Sequence, residues 1–88
     1  MNKEYLIDCL SGFMEKGSTF SFSPSTGILE IEKTKNGVKV MATPHGEYTW
    51  EGTASSAEEL FDMIKSGLEK LNEGENTLDT IISHMHED

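Results

Sequence analysis

Residues 28–43 read ILEIEKTKNGVKVMAT and contain the strongest hairpin signal in the sequence. Apolar and polar residues alternate on both sides of Asn36-Gly37, a pair that favours a type I′ turn between two antiparallel strands. Pairing across this turn places Ile31 opposite Ala42. It also predicts that one face of a sheet is shared by Leu29, Ile31, Val38, Val40 and Ala42.

Two more strands flank this hairpin. Phe20 and Phe22 alternate with serines ahead of Pro24, which predicts a first strand. A final strand follows the hairpin and contains Tyr48 and Trp50. The predicted strands cover residues 18–23, 27–34, 38–43 and 47–53.

The connection to the last strand decides which side chains enter the core. The Pro-His-Gly sequence at 44–46 fits a three-residue loop that pairs Ala42 with Tyr48 and turns both Tyr48 and Trp50 inward. The predicted inner face comprises Phe20, Phe22, Leu29, Ile31, Val38, Val40, Ala42, Tyr48 and Trp50. The outer face is expected to be solvated and includes Glu30, Glu32, Glu47 and Glu51.

Apolar residues at helical spacing precede and follow the strands. This spacing predicts helices over residues 3–16 and 56–72 and a short third helix over 77–85 that Thr77 caps. Residues 1–88 therefore form one α+β domain. Its predicted architecture is a four-stranded antiparallel meander sheet with helices on one face, in the order α-β-β-β-β-α-α.

The helix signals carry two further expectations. Ser55 with Glu58 and Ser56 with Glu59 form overlapping capping boxes ahead of the second helix. The third helix has an apolar stripe that one sheet face has little room to cover, which leaves a homo-oligomer open. That stripe comprises Leu78, Ile81, Ile82 and Met85.

Charge is the most informative bulk property. The chain has 16 acidic residues and seven lysines, and it contains no arginine. Residues 57–88 contain nine of the acids and only two of the lysines. A basic footprint for direct nucleic-acid binding or for an anionic membrane is missing, whereas a basic protein surface would be attracted.

Nothing in the sequence predicts an enzyme or a cofactor. No phosphate-binding glycine motif and no nucleophile elbow occur, and His45 lies in a turn. His84 and His86 project from different sides of a helix, so they could chelate a metal only in a frayed tail. No metal site and no catalytic residue are therefore predicted, and an acid–base or metal enzyme is the least favoured hypothesis.

Cellular location follows from absences in the sequence. No apolar run approaches the ~20 residues that cross a bilayer, and Glu4 and Asp8 interrupt the pattern of a secretory signal. Cys9 is the single cysteine and is expected to be a buried apolar residue. A cytoplasmic protein is predicted.

The placement of some acids is the best functional hint. Glu69, Glu73 and Glu75 crowd the predicted C-terminal end of the second helix, where the helix dipole disfavours negative charge. Glu58 and Asp62 are like charges four residues apart on the same helix. Solubility does not require acids at these positions, so we expect them to serve binding.

In general type, the chain resembles the small phage-encoded inhibitors of bacterial defence systems, anti-CRISPR proteins among them. The features that carry the resemblance are the Ile28–Thr43 hairpin, the Ser55–Asn72 helix and the acidic stretch from Glu58 to Glu75. The resemblance implies a non-catalytic protein that blocks the nucleic-acid-binding surface of a nuclease by presenting carboxylates in place of phosphates.

The sequence thus predicts a stoichiometric inhibitor that docks acidic residues on a basic partner. The expected partner-binding residues are Glu58, Glu59, Asp62, Glu69, Glu73 and Glu75, with Glu30, Glu32, Glu47 and Glu51 on a second face. The alternative is a homo-oligomeric module that sequesters a small ligand or has a structural role.

Overall fold

The computed structural model describes residues 3–17 and 19–87, with side chains described as far as residue 85. The elements follow one another along the chain as α1 (Lys3–Lys16), β1 (Thr19–Phe22), β2 (Gly27–Thr34), β3 (Gly37–Pro44), β4 (Trp50–Ala54), α2 (Ala57–Lys70) and α3 (Glu75–Glu87). The predicted element order is confirmed. The predicted first strand began at Ser18, which lies outside the described residues.

The sheet is the predicted antiparallel meander, with strand order β1-β2-β3-β4. Side chains on β2 and β3 alternate between buried and more exposed positions, so one face of the sheet is core and the other is open to solvent. The buried face meets the helices in a single apolar cluster. Its largest fully buried side chains include Phe13, Leu29 and Ile64.

The turn between β2 and β3 differs from the predicted one. Ile31 pairs with Val40, and Thr34 pairs with Gly37, so Lys35 and Asn36 are the turn residues. Neither of them has a positive φ, which excludes a type I′ turn. The Thr34 hydroxyl donates a hydrogen bond to the Gly37 carbonyl and accepts one from the Asn36 N–H. This side chain bonds locally to the backbone and closes the turn one residue early.

The connection between β3 and β4 is longer than predicted. Ala42 pairs with Trp50 instead of Tyr48, and β4 begins at Trp50. The prediction that Tyr48 enters the core is wrong, because its side chain is 97% exposed. The Thr43 and Thr49 hydroxyls lie 2.9 Å apart and tie the two ends of the loop together. In both hairpins the register differs by two residues, which keeps the residues of the observed strands β2, β3 and β4 on their predicted faces.

Trp50 explains why the longer loop is favoured. Its indole lies against two glycines, since a Cβ added at Gly52 or at Gly67 would come 3.5 Å from the ring. Ala42 is its cross-strand partner. Three small residues therefore provide a slot for one large side chain between α2 and the sheet. With the predicted register, Trp50 would face the larger Val40.

The bounds of the three helices lie within two residues of the predicted ones. Helix α1 has the predicted bounds and buries Cys9, as expected. Ser56 is the N-cap of α2. Helix α3 begins at Glu75, so the prediction that Thr77 caps it is wrong. Its apolar stripe is buried against α1 and α2 of the same chain: Leu78, Ile81, Ile82 and Met85.

Candidate functional site

Helix α2 presents an exposed acidic stripe. Glu58, Asp62 and Glu69 are exposed and lie four and seven residues apart, a spacing that places them on the same side of a helix. Lys65 lies in the same stripe between Asp62 and Glu69. Three carboxylates therefore face solvent with one ammonium group among them.

The turn after α2 brings two more acids to this stripe. Asn72 adopts a left-handed φ of 60°. The Asn72 N–H bonds to the Glu69 carbonyl, and the Glu73 N–H bonds to the Leu68 carbonyl at 2.9 Å. These bonds form a Schellman motif, which ends the helix and reverses the chain direction.

The reversal gathers the acids around one cleft. Glu69, Glu73 and Glu75 line a cleft of about 190 Å³ at the junction of α2 and α3, together with Lys65, Leu68, Gly74 and Leu78. Glu58, Asp62, Glu69, Glu73 and Glu75 thus form one continuous surface, which we call the α2–α3 acidic face. The structure brings together five of the six helix-region acids that the sequence singled out.

Local structure accounts for some of these charges. Glu75 lies in the first turn of α3, and Glu58 and Glu59 lie in the first turn of α2. Negative charge is favourable at a helix N-terminus, so the prediction that the dipole disfavours Glu75 is wrong. Glu69 and Glu73, at the C-terminal end of α2, are the acids that the helix dipole does disfavour.

Glu59 has a structural role. Its backbone N–H donates to the Ser56 hydroxyl at 3.2 Å, and its carboxylate accepts hydrogen bonds from the Ser55 hydroxyl and the Ser55 N–H. The predicted Ser56–Glu59 box is therefore present, with the return bond made to Ser55 instead of the cap residue. Bonds to the Ser55 hydroxyl and N–H, and then to Ser56, lower the pKa of the Glu59 carboxyl. The Glu59 carboxylate therefore helps to cap the N-terminus of α2.

The lowered pKa predicts a pH-dependent stability. Because the folded pKa lies below the ordinary value of about 4.5, the charged carboxylate stabilises the fold above that value. This contribution is lost as the pH falls through the folded pKa. The Glu59→Gln variant should therefore be less stable than the wild type at pH 7, and the difference should shrink below about pH 4.5.

Urea unfolding at several pH values measures this difference. Glu58→Gln is the matched control, because it removes a charge from the same helical turn and its carboxylate accepts no hydrogen bond within the described residues. A Glu59→Gln deficit that persists unchanged at low pH would contradict the assigned role of Glu59.

The second predicted acidic face is smaller than expected. Glu30, Glu32 and Glu51 lie on the solvated face of the sheet, with Glu30 and Glu51 on either side of Met41. Lys39 on the central strand lies 3.7 Å from a Glu51 carboxylate oxygen. Glu47 was predicted on this face, but it lies in the loop between β3 and β4. Of the ten predicted residues, six thus lie on or next to the helices, three lie on the solvated face of the sheet, and Glu47 lies in a loop.

Sequence reasoning missed a cleft beside the β3–β4 loop. It has a volume of about 530 Å³ and is lined by Pro44, Gly46, Glu47, Tyr48, Thr49, Trp50 and Lys70. The signal that could have found it is Tyr48, an aromatic residue that follows the turn residues His45 and Gly46 within two positions. The predicted register assigned that aromatic residue to the core instead.

The described residues lack a cluster of possible metal ligands. Among them, no three His, Cys, Asp or Glu side chains lie close enough together to hold a metal ion. The side chains of His86 and Glu87, and all of Asp88, lie outside the described part. No described helix is long and apolar enough to cross a membrane.

Comparison with protein-family models, curated proteins and solved structures gives no match for this chain.

Proposed function

We propose that this chain is a non-catalytic binding protein. In this proposal it is a stoichiometric inhibitor that docks the α2–α3 acidic face on the basic nucleic-acid-binding surface of a partner, such as a defence nuclease. The observation that carries the proposal is the gathering of Glu69, Glu73 and Glu75 around one cleft. At two of these positions, Glu69 and Glu73, the helix dipole makes a negative charge unfavourable.

The geometry suits recognition of a basic surface. At a rise of about 1.5 Å per residue, Glu58 and Asp62 are about 6 Å apart along α2, and Asp62 and Glu69 are about 10 Å apart. A row of carboxylates at such intervals can meet the lysines and arginines that line a phosphate-binding surface. The sheet face is a weaker candidate, since it has three of the predicted carboxylates and Lys39 pairs with one of them, whereas the α2–α3 acidic face has five carboxylates around Lys65.

The homo-oligomeric alternative has lost its main support. It rested on the apolar stripe of α3, which is buried within its own chain. The exposed apolar residues that remain on the sheet are isolated, with Ile28 40% exposed. Scattered side chains of this kind are ordinary on a monomer surface.

The test is a pull-down from bacterial lysate at low salt, repeated at high salt, with the captured proteins identified by mass spectrometry. We expect a nuclease or another nucleic-acid-binding protein that is released as salt rises, because salt screens charge pairing. The Asp62→Lys/Glu69→Lys variant should capture it at least about tenfold less well. Adding the wild-type chain should displace nucleic acid from the captured protein.

Asp8→Lys/Glu15→Lys is the matched control. Both of these acids are exposed on α1, and the double substitution changes the net charge by the same amount. Equal capture by all three proteins would reject the α2–α3 acidic face as the docking site. A captured protein that still binds its nucleic acid in the presence of this chain would reject inhibition by occlusion.

A further inference from the structure

Strand β1 is an open edge of the sheet. Within the described residues it pairs only with β2, so two of its four residues direct N–H and C=O groups away from the sheet. Its sequence, TFSF, has no charge and no proline. Charged residues and prolines usually protect an edge strand from pairing. The opposite edge strand, β4, has one such residue, Glu51. Strand β1 is therefore suited to accept another strand.

An apolar groove runs along the inner side of this edge. It has a volume of about 360 Å³ and separates β1 from α3. Phe20, Phe22 and Ile81 provide its apolar lining, and both phenylalanines are only partly buried. The polar part of its lining comes from α3: Asn76, Thr77, Thr80 and His84. A strand added to β1 would direct every second side chain into this groove. Apolar side chains at those positions would complete the cover over the two phenylalanines.

The outer side of the edge is acidic. Thr19 pairs with Glu32 and Ser21 pairs with Glu30, so small side chains on β1 lie next to carboxylates on β2. These residues border a cleft of about 330 Å³. An added strand would lie about 5 Å from β1 and about 10 Å from β2. Lysine or arginine side chains on it are long enough to extend over Thr19 and Ser21 toward the two carboxylates.

We propose that β1 is a docking edge for an extended basic segment of a partner protein, in which apolar residues alternate with lysine or arginine. Backbone hydrogen bonds to β1 provide affinity, and the groove and the two carboxylates provide specificity. A second copy of this chain fits poorly. Pairing β1 with itself would bring Glu30 and Glu32 of both copies onto one sheet face of an already acidic protein. The inference uses different residues from the α2–α3 acidic face and does not rest on the function proposed above.

A fluorescent peptide of roughly eight residues that alternates valine and lysine is the probe, titrated against the full chain at about 0.15 M salt. We expect saturable binding, with slower hydrogen exchange at residues 19–22. A peptide of alternating valine and glutamate should bind at least about tenfold more weakly.

Three variants locate the site. Ser21→Lys pairs favourably with Glu30, which keeps the strand folded, and it should weaken binding about tenfold by repelling the peptide. Ser11→Lys adds the same charge at an exposed position on α1 and should have little effect. The Asp62→Lys/Glu69→Lys variant should also bind the peptide normally, which separates this edge from the α2–α3 acidic face.

Several results would overturn the proposal. They are absence of binding at millimolar peptide, binding that Ser21→Lys and Ser11→Lys affect equally, and binding without protection of residues 19–22. Dimerisation of the chain alone with protection at β1 would also overturn it, because a second copy would then occupy the edge.

Discussion

Replacing Gly37 with alanine is expected to destabilise the fold by about 2–6 kcal/mol. Gly37 has a φ of 136°, which an L-residue adopts at a cost of about 1–3 kcal/mol. An added Cβ would also lie 2.3 Å from the Ala54 carbonyl oxygen at the end of β4. Forcing those backbones apart costs about another 1–3 kcal/mol. Urea unfolding of the wild type and the variant measures the loss.

Gly74→Ala is the matched control. A Cβ at Gly74 would meet no heavy atom within 4 Å, so the only expected cost is about 1 kcal/mol or less for placing alanine at the N-cap of α3. Similar free energies of unfolding for both variants would contradict the close approach of β3 and β4 at Gly37. A domain of this size is stable by only about 5–15 kcal/mol, so the Gly37→Ala loss would be a large fraction of the total.

Replacing Ile82 with alanine is expected to cost a similar amount, about 2–5 kcal/mol. Ile82 is fully buried within the apolar stripe of α3. Removing its outer carbons leaves a cavity that α1 and α2 can close only in part. The free energy of unfolding should be independent of protein concentration in both the wild type and the variant, because α3 packs on its own chain.

Thr80→Ala is the control for this change. Thr80 lies on the exposed side of α3, and its hydroxyl donates to the Asn76 carbonyl one turn earlier. Alanine there should be nearly neutral, since it also raises helix propensity. A loss of stability for Ile82→Ala that diminishes as protein concentration rises would show that α3 packs between copies.

The faces of the elements could be predicted from the sequence, whereas the register could not. Alternation across Asn36-Gly37 identified the hairpin and the buried side of each strand. The position of the turn depends on the Thr34 hydroxyl, which bonds to the Asn36 N–H and the Gly37 carbonyl. These bonds favour Lys35-Asn36 over Asn36-Gly37 as the turn residues. Loop length after Pro44 depends on where the Trp50 indole fits, and that slot exists only when α2 is in place.

The candidate site was predictable in composition but not in shape. The excess of acids after residue 57 is visible in the sequence. Their gathering depends on the left-handed conformation of Asn72, whereas the apolar spacing predicted that the helix continues through this residue. Capping gives Glu59 a separate role, and loop geometry takes Glu47 off the sheet. The strand β1 and the neighbouring Glu30 and Glu32 were predicted, but the groove beside β1 was not, because it arises where α3 and the sheet do not meet.

Because Trp50 lies in a slot between the sheet and α2, its intrinsic fluorescence reports on the packing of α2. Trp50 is the only tryptophan in the chain, and its ring lies between the sheet and α2. Its emission therefore senses whether α2 is docked, while far-ultraviolet circular dichroism senses all three helices. If the chain unfolds in one cooperative step, the two signals will change together. If α1 and α3 unfold first, the ellipticity will fall while the emission of Trp50 stays unchanged.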